Sequence, residues 1–380
     1  VSDESGVLRR TALYDAHLAL GGRIVPFGGF EMPVQYPAGI LAEHDAVRNR
    51  AGLFDLSHMG QFALRGPNVG TWAETLTINN VDNIKPGVAR YNIFTNVNGG
   101  AHDDVIFYRL DADRWLLVVN AGNADKMWPH VSAEAAKADG VEIEDLRGKR
   151  ALIAVQGPKS VEILAPYIDG DIAAMKYYTC IETTVRGSSD TVIVARTGYT
   201  GEDGFEIFLA ADDATPLWDL LLAENADKGL APCGLGARDV LRLEAGMPLY
   251  GNELTEEITP VQAGLNWAIK FEKPSFRGRD ALIAQRDAAT APRIVGLTMD
   301  GRLPARSGYP VFANGAQVGE IRSGSWAPTV GKSIATALID PSAAEPGTAI
   351  EVEIRGTRHP ATVVALPFYK RPKAASTGSA

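Results

Sequence analysis

Cysteine is scarce. The chain holds two, Cys180 and Cys233, among 380 residues, and no C-x-x-C pair. That excludes a disulfide framework and a Cys-rich zinc site, and it points to a reducing compartment. Long apolar runs are missing too: none approaches the ~18 residues of a membrane helix. Excess positive charge is also absent. Lys plus Arg is 37 against 46 Asp plus Glu, a net charge of −9. Nucleic acid and anionic membrane would repel such a chain, so neither is an expected partner. The first ten residues mix acids with bases around no apolar core, so no signal peptide is expected. The six histidines never pair at ligand spacing, and no metal site is expected. Gly331-Lys332-Ser333 has Trp326 where a phosphate-binding loop needs glycine. Gly234-Leu235-Gly236 lacks a third glycine and follows a loop instead of a strand. There is no G-x-S-x-G elbow and no repeat of fixed period. ATP, NAD and serine-hydrolase chemistry all lose their usual support.

What remains is an ordinary folded composition, 46% hydrophobic and 22% charged, long enough for two or three domains. Helix and strand patterns are mixed, an α+β texture. Ile24 to Tyr36 reads as short extended pieces. Gly39 to Arg50 reads as a helix, with Gly52 as its C-cap. Tyr91 to Val97 and Asp104 to Leu110 form a hairpin around Asn98-Gly99. Trp115 to Asn120 and Arg150 to Val155 are near-continuous apolar strands. Thr191 to Arg196 and Phe205 to Ala210 are strands joined by a glycine-rich stretch. Ala214 to Lys228 and Gly236 to Ala245 are helices, separated by a loop at Gly229 to Cys233. From Arg293 on, six short strands with a second turn at Asn314-Gly315 suggest a small barrel or sandwich. The break falls at Ala288 to Pro292. Pro372 to Ala380 reads as a disordered tail.

Four segments could carry chemistry. Asp103 and Asp104 enter a strand side by side, so one should face inward and one outward. The inward carboxylate could act as a base or stabilise a cation; solvated turn acids are the alternative. Gly198-Tyr199-Thr200-Gly201-Glu202-Asp203-Gly204-Phe205-Glu206 offers an aromatic face and the carboxylates Glu202 and Glu206. A carboxylate can take two parallel N–H bonds from an aminopyrimidine ring; a glycine-rich hairpin with solubilising acids is the alternative. Arg238 lies near a helix N-terminus, where the dipole disfavours a cation, so an anionic ligand or a buried acid would explain it. Arg242, with Glu244, is expected to be surface charge. Tyr177 and Tyr178 could flank a flat ring, with core packing on a strand or sheet edge as the expected role.

Together these stretches resemble the glycine cleavage T-protein family of tetrahydrofolate-dependent aminomethyltransferases. The resemblance runs from about Leu8 to Arg371. It rests on Leu13-Tyr14-Asp15, the stretch Val25 to Tyr36, Gly52-Leu53-Phe54-Asp55-Leu56-Ser57-His58-Met59-Gly60, Gly99 to Asp104, and Arg196 to Glu206. Gly234 to Asp239 and Phe276-Arg277-Gly278-Arg279-Asp280 complete it.

The resemblance implies a three-lobed fold around a central folate channel. Residues 1–287 would form two interleaved lobes, residues 288–371 a C-terminal β-barrel, and residues 372–380 the tail. It implies tetrahydrofolate as co-substrate and the lipoylated H-protein as partner, whose lipoyl arm brings an aminomethyl group. The products would be ammonia and 5,10-methylenetetrahydrofolate. Asp104 matches the catalytic carboxylate, and Glu206 the acid that binds the pterin. Tyr199 and Arg238 match other folate-channel positions, as do Tyr91, Tyr108, Val119, Tyr177, Tyr178 and Met59. Arg371 resembles a basic contact at the channel mouth. The implied setting is bacterial cytoplasm, or the mitochondrial matrix in a eukaryote. The alternative is a folate-dependent demethylase of a methylated amine or sulfonium on the same fold. Non-catalytic folate-binding relatives carry a reactive Cys where this chain has Phe276 to Asp280 without one.

Overall fold

A computed structural model describes residues 7–372; the expected tail, beyond Pro372, lies outside the described residues. The chain opens with helix α1 (Tyr14–Ala19) and a hairpin of β1 (Arg23–Phe27) and β2 (Phe30–Gln35). Helix α2 (Ile40–Asn49) leads into β3 (Ala51–Asp55). Next come β4 (Gly60–Arg65), α3 (Val69–Glu74), β5 (Val88–Thr95), β6 (Ala101–Arg109), β7 (Arg114–Val119), α4 (Ala124–Ala135) and β8 (Glu142–Asp145). A further run gives β9 (Arg150–Gln156), α5 (Ser160–Leu164), β10 (Cys180–Thr183), β11 (Val192–Ala195), β12 (Gly204–Ala210), α6 (Ala214–Asn225), β13 (Leu230–Pro232) and α7 (Leu235–Glu244). After α8 (Arg279–Ala288) the chain is all strand: β14 (Arg293–Met299), β15 (Pro310–Ala313), β16 (Ala316–Ala327), β17 (Lys332–Ile339), β18 (Ala349–Ile354) and β19 (Thr357–Val364).

Two sheets stand face to face. One has the order β10-β11-β12-β9-β3-β13, the other β5-β6-β7-β4-β8. Alternation along each strand sorts its residues between two cores. On β9, Ala151, Ile153 and Val155 pack outward under α5 and α6, while Leu152 and Ala154 face the other sheet. On β7, Trp115, Leu117 and Val119 pack outward under α3 and α4, while Leu116 and Val118 face inward. A strand covered on both faces needs no polar side, which is why these runs are apolar throughout. The β3 strand precedes the five-stranded sheet in sequence but belongs to the six-stranded one, so the latter is discontinuous along the chain.

The last six strands close into a barrel, β14-β17-β16-β15-β18-β19. Its interior alternates, with Val295, Leu297 and Met299 on β14 facing Val352 and Ile354 on β18. The β15–β16 turn is the two-residue hairpin that Asn314-Gly315 predicts, both residues at positive φ (49° and 83°).

Several local expectations are corrected. Gly52 is no helix cap. Helix α2 ends at Asn49 with Arg50 as its cap, and Gly52 lies inside β3, where a Cβ would come within 2.6 Å of both Val47 and the Cys233 sulfur. The Gly229 to Cys233 loop contains a short strand, β13, parallel to β3. The β5–β6 hairpin does not turn on Asn98-Gly99 alone. The Asn96 carboxamide accepts from the N–H groups of Asn98 (2.9 Å) and Gly100 (3.0 Å), widening the turn. Met175 to Tyr178 is no strand, and its core packing is partial: Met175 and Tyr178 pack at the edges of two cores while Tyr177 is exposed. Tyr178 sits at φ 62°, pinned to one sheet through its N–H to Arg196 and to the other through its carbonyl from Ala89.

Candidate active site

Residues of both sheets line a cavity of about 510 Å³, within the range of small-molecule sites. Its walls come from inner-face positions of both sheets. Asp104, Ile106, Tyr108 and Val118 line it from one, Leu152 and Glu206 from the other. The β1–β2 hairpin tip, the Tyr199 loop and residues 247–252 after α7 close the remaining sides.

One region is built around paired acids. Successive residues of β6 alternate, so Asp104 faces the cavity while Asp103 is wholly buried on the opposite side. Asp104 accepts from the Tyr91 phenol at 3.0 Å and from the Asn120 amide nitrogen at 2.8 Å. The same nitrogen lies 2.9 Å from an Asp103 oxygen. Asp103 also accepts from the Asn120 backbone N–H at 3.0 Å and the Asn123 amide at 2.6 Å. Burial pushes both carboxyls above the ordinary carboxylate range, and Asp103 is raised further by the charge of Asp104. Burial raises the Tyr91 phenol as well, so it stays protonated and donates. A carboxylate aimed into an apolar space can stabilise a cation forming there.

The second polar region gathers on β12. Glu206 accepts from Thr197 at 2.5 Å and from Tyr108 at 3.1 Å, both on one oxygen. Its other oxygen remains to accept N–H donors, the geometry a ring with adjacent N–H groups requires. Arg238 stands beside it and over the Tyr199 ring at 4.7 Å. Among the described residues no carboxylate comes within ion-pair distance of Arg238. A half-buried guanidinium on a cavity wall without such a partner is free to meet a polar or anionic ligand. Tyr199 is itself fixed by its phenol, which donates to the Pro248 carbonyl.

The structure thus brings Asp104, Tyr91, Tyr108 and Met59 together with Glu206, Tyr199, Arg238 and Tyr178 around one cavity. Three expected residues are elsewhere. Val119 belongs to the outward core of β7, and the pleat gives its neighbour Val118 to the cavity. Tyr177 is 46% exposed and packs edge-on against Tyr178, outside the lining. Arg371 lies outside too, 3.6 Å from Asp203. Glu202 turns away from the cavity and pairs with Arg48 at 2.9 Å. Arg242 is not surface charge. It is 1% exposed and donates to Asp239 (2.8 Å), Glu253 (3.1 Å) and Ser323 (2.8 Å) of the barrel.

Sequence reading missed Asn120, His58 and Trp267, all of which line the cavity. Two asparagines at the end of an apolar strand, Asn120 and Asn123, were the available signal. His58 is buried against Phe27 and Phe30, its Nδ1 has no hydrogen-bond partner among the described residues, and burial lowers its proton affinity to a pKa of about 4. It therefore stays neutral. Trp267 is 63% exposed and stacks on Tyr91 at 5.8 Å. Among the described residues no group of His, Cys, Asp or Glu is placed to hold a metal ion.

Comparison with known proteins agrees with this architecture. Residues 13–273 match the GCVT N-terminal domain, and residues 293–370 the glycine cleavage T-protein C-terminal barrel domain. The chain belongs to the glycine cleavage T-protein family. Among its relatives is an aminomethyltransferase of Streptomyces coelicolor, 48% identical over 371 residues, covering 96% of this chain and 99% of the relative. An aminomethyltransferase of Rubrobacter xylanophilus is 47% identical over 376 residues, 99% and 98% of the two chains. The crystal structure of the glycine cleavage system aminomethyltransferase T from Bartonella henselae superimposes with a TM-score of 0.89 at 34% identity. It covers 96% of this chain and 98% of its own. The family fold is thus the α+β arrangement with a terminal barrel described above.

Proposed function

We propose that this protein transfers the methylene of an aminomethyl group, carried on the lipoyl arm of H-protein, to tetrahydrofolate. The observation that carries the reading is one cavity holding two separately anchored carboxylates. Glu206 keeps one oxygen for the amino and ring N–H groups of a pterin. Asp104 is fixed by Tyr91 and Asn120 and aims at the reacting carbon.

The reaction moves two protons and no net electrons. The carbon–sulfur bond breaks as a folate nitrogen bonds to the methylene. The carbon–nitrogen bond then breaks as the second folate nitrogen closes the ring. The two hydrogens displaced from the folate nitrogens end on the lipoyl sulfur and on departing ammonia. Each stage passes through an iminium-like cation, and the Asp104 carboxylate lowers its energy in surroundings where an anion acts strongly. Asp104 can also receive a folate proton, since its raised proton affinity suits a base near neutral pH. Arg238 supports the bound folate from the side of Tyr199.

The buried free thiols of Cys180 and Cys233 suit a reducing compartment, bacterial cytoplasm or mitochondrial matrix. The test is ammonia release from aminomethyl-loaded H-protein, with and without tetrahydrofolate. Folate-dependent release with methylenetetrahydrofolate as product is expected. Folate binding with no release from this donor would overturn the reading in favour of a demethylase.

A further inference from the structure

Asn120 stands where β7 ends, and its planar amide has two halves with different surroundings. The nitrogen half faces three oxygens: an Asp103 carboxylate oxygen at 2.9 Å, an Asp104 carboxylate oxygen at 2.8 Å and the Asp104 carbonyl at 3.0 Å. The Asp104 carbonyl fixes which end of the amide is nitrogen, because it can only accept whatever the protonation of the two carboxyls. The backbone N–H of the same residue goes to Asp103 at 3.0 Å, which holds the side chain's root as well. The amide oxygen therefore points away from the carboxylates. It accepts no hydrogen bond among the described residues, and Asn120 lines the cavity. That oxygen is open to the cavity beside an ionisable carboxylate, where an incoming ligand can supply the donor.

We propose that Asn120 is a substrate-binding residue for the leaving nitrogen: its amide oxygen accepts an N–H from the donor's amino group, while its amide nitrogen fixes the Asp104 carboxylate beside it. This rests on the aminomethyl-transfer reading and adds to it the place of ammonia departure. The nitrogen is then held by one anionic and one neutral acceptor. Coulomb attraction to Asp104 alone would not distinguish an ammonium from a sulfonium or a quaternary amine. A second, directional acceptor does, because those groups have no N–H to offer. Asn120 thereby selects donors with a free amino group.

The reverse reaction isolates this contact, because ammonia enters it as a separate small molecule. The assay combines methylenetetrahydrofolate, dihydrolipoyl H-protein and ammonium, and follows aminomethyl-lipoyl formation. For Asn120→Ala the KM for ammonium should rise roughly tenfold or more, about the worth of one hydrogen bond to a charged group. The dissociation constant for methylenetetrahydrofolate should stay within about threefold, because the proposal gives the amide oxygen to the amino group and not to the folate. Thermal melting checks folding. If Asn120→Ala melts below the assay temperature, Asn120→Ser is read instead, since its hydroxyl keeps a donor for Asp104 and loses the amide oxygen. An unchanged ammonium KM, or a folate constant that rises in parallel, overturns the inference while leaving the aminomethyltransferase reading intact. A wild-type enzyme with no ammonium-dependent reaction overturns both.

Discussion

Asp104 and Glu206 do different work, and single substitutions should separate them. Asp104→Asn keeps size and shape, and the pterin is held by Glu206 instead. It should bind folate normally and lose most turnover, at least ~100-fold in kcat, as loss of a positioned charge in a dry site commonly costs. Single-turnover kinetics beside a folate titration would measure both; a near-normal rate would remove Asp104 from the chemistry. Glu206→Ala should lose folate affinity first, by a factor on the order of 10–100 for two lost charge-assisted bonds. Unchanged binding by calorimetry would take Glu206 out of the pterin site. The pH profile follows from Asp104 as well. Burial raises its carboxyl, so its active anionic form disappears as pH falls through that raised value. The acid limb of the single-turnover rate should lie above the ~4 of a free aspartate. Much of this was legible in residues. Alternation on β6 separates Asp103 from Asp104, although which one faces inward needed the fold. Val119 came from the family resemblance, and the all-apolar strand around it carries no mark of face that would have set Val118 in its place.

At the scale of elements, the β5–β6 hairpin is the part that aims the acids. Its turn is anchored from outside: Asn96 donates to the Glu256 carbonyl at 2.9 Å, and Ala101 to the Thr255 carbonyl at 2.7 Å. Gly100 approaches this neighbour so closely that a Cβ would stand 1.7 Å from the Glu256 carbonyl oxygen. Gly100→Ala must therefore move the turn away from residues 255–256. We expect a loss of stability of about 1–3 kcal/mol, in the range of overpacking, with a fall in kcat larger than any change in folate affinity. Chemical denaturation beside kinetics would check it; wild-type behaviour in both would show that the turn is free to shift. The hairpin itself was legible from Asn98-Gly99, but its anchoring was not. Residues about 155 positions apart in the chain meet there, and no local pattern encodes that meeting. The same holds for Tyr178, whose left-handed backbone is set by its bonds to two sheets.

At the scale of the whole molecule, buried charge holds the barrel to the sheets. Arg48 donates to Glu202 at 2.9 Å and to Glu244 at 2.7 Å, while the Thr329 N–H of the barrel reaches the same Glu244 side chain at 3.0 Å. Tyr369, after the last strand, lies over the Arg48 guanidinium at 4.2 Å. Removing Arg48 leaves two acids that are nearly inaccessible, 3% and 0% exposed. Glu244 keeps His44 at 2.9 Å and the Thr329 donors, so Arg48→Met should cost about 2–3 kcal/mol, chiefly from Glu202, read as a clear fall in Tm. A Tm equal to wild type would mean that water reaches these carboxylates. The barrel strands were legible from alternation and turn residues. Its docking was not, which is why Arg242 read as surface charge: helical spacing alone does not say that a barrel covers that face. The central claim concerns where the carbon goes. The most direct measurement is a single turnover with 13C-labelled aminomethyl H-protein and tetrahydrofolate, followed by NMR of the folate. The account predicts label in the methylene bridge between the two folate nitrogens, with one ammonia released per labelled carbon. Label recovered as free formaldehyde, at the same rate with or without folate, would contradict it.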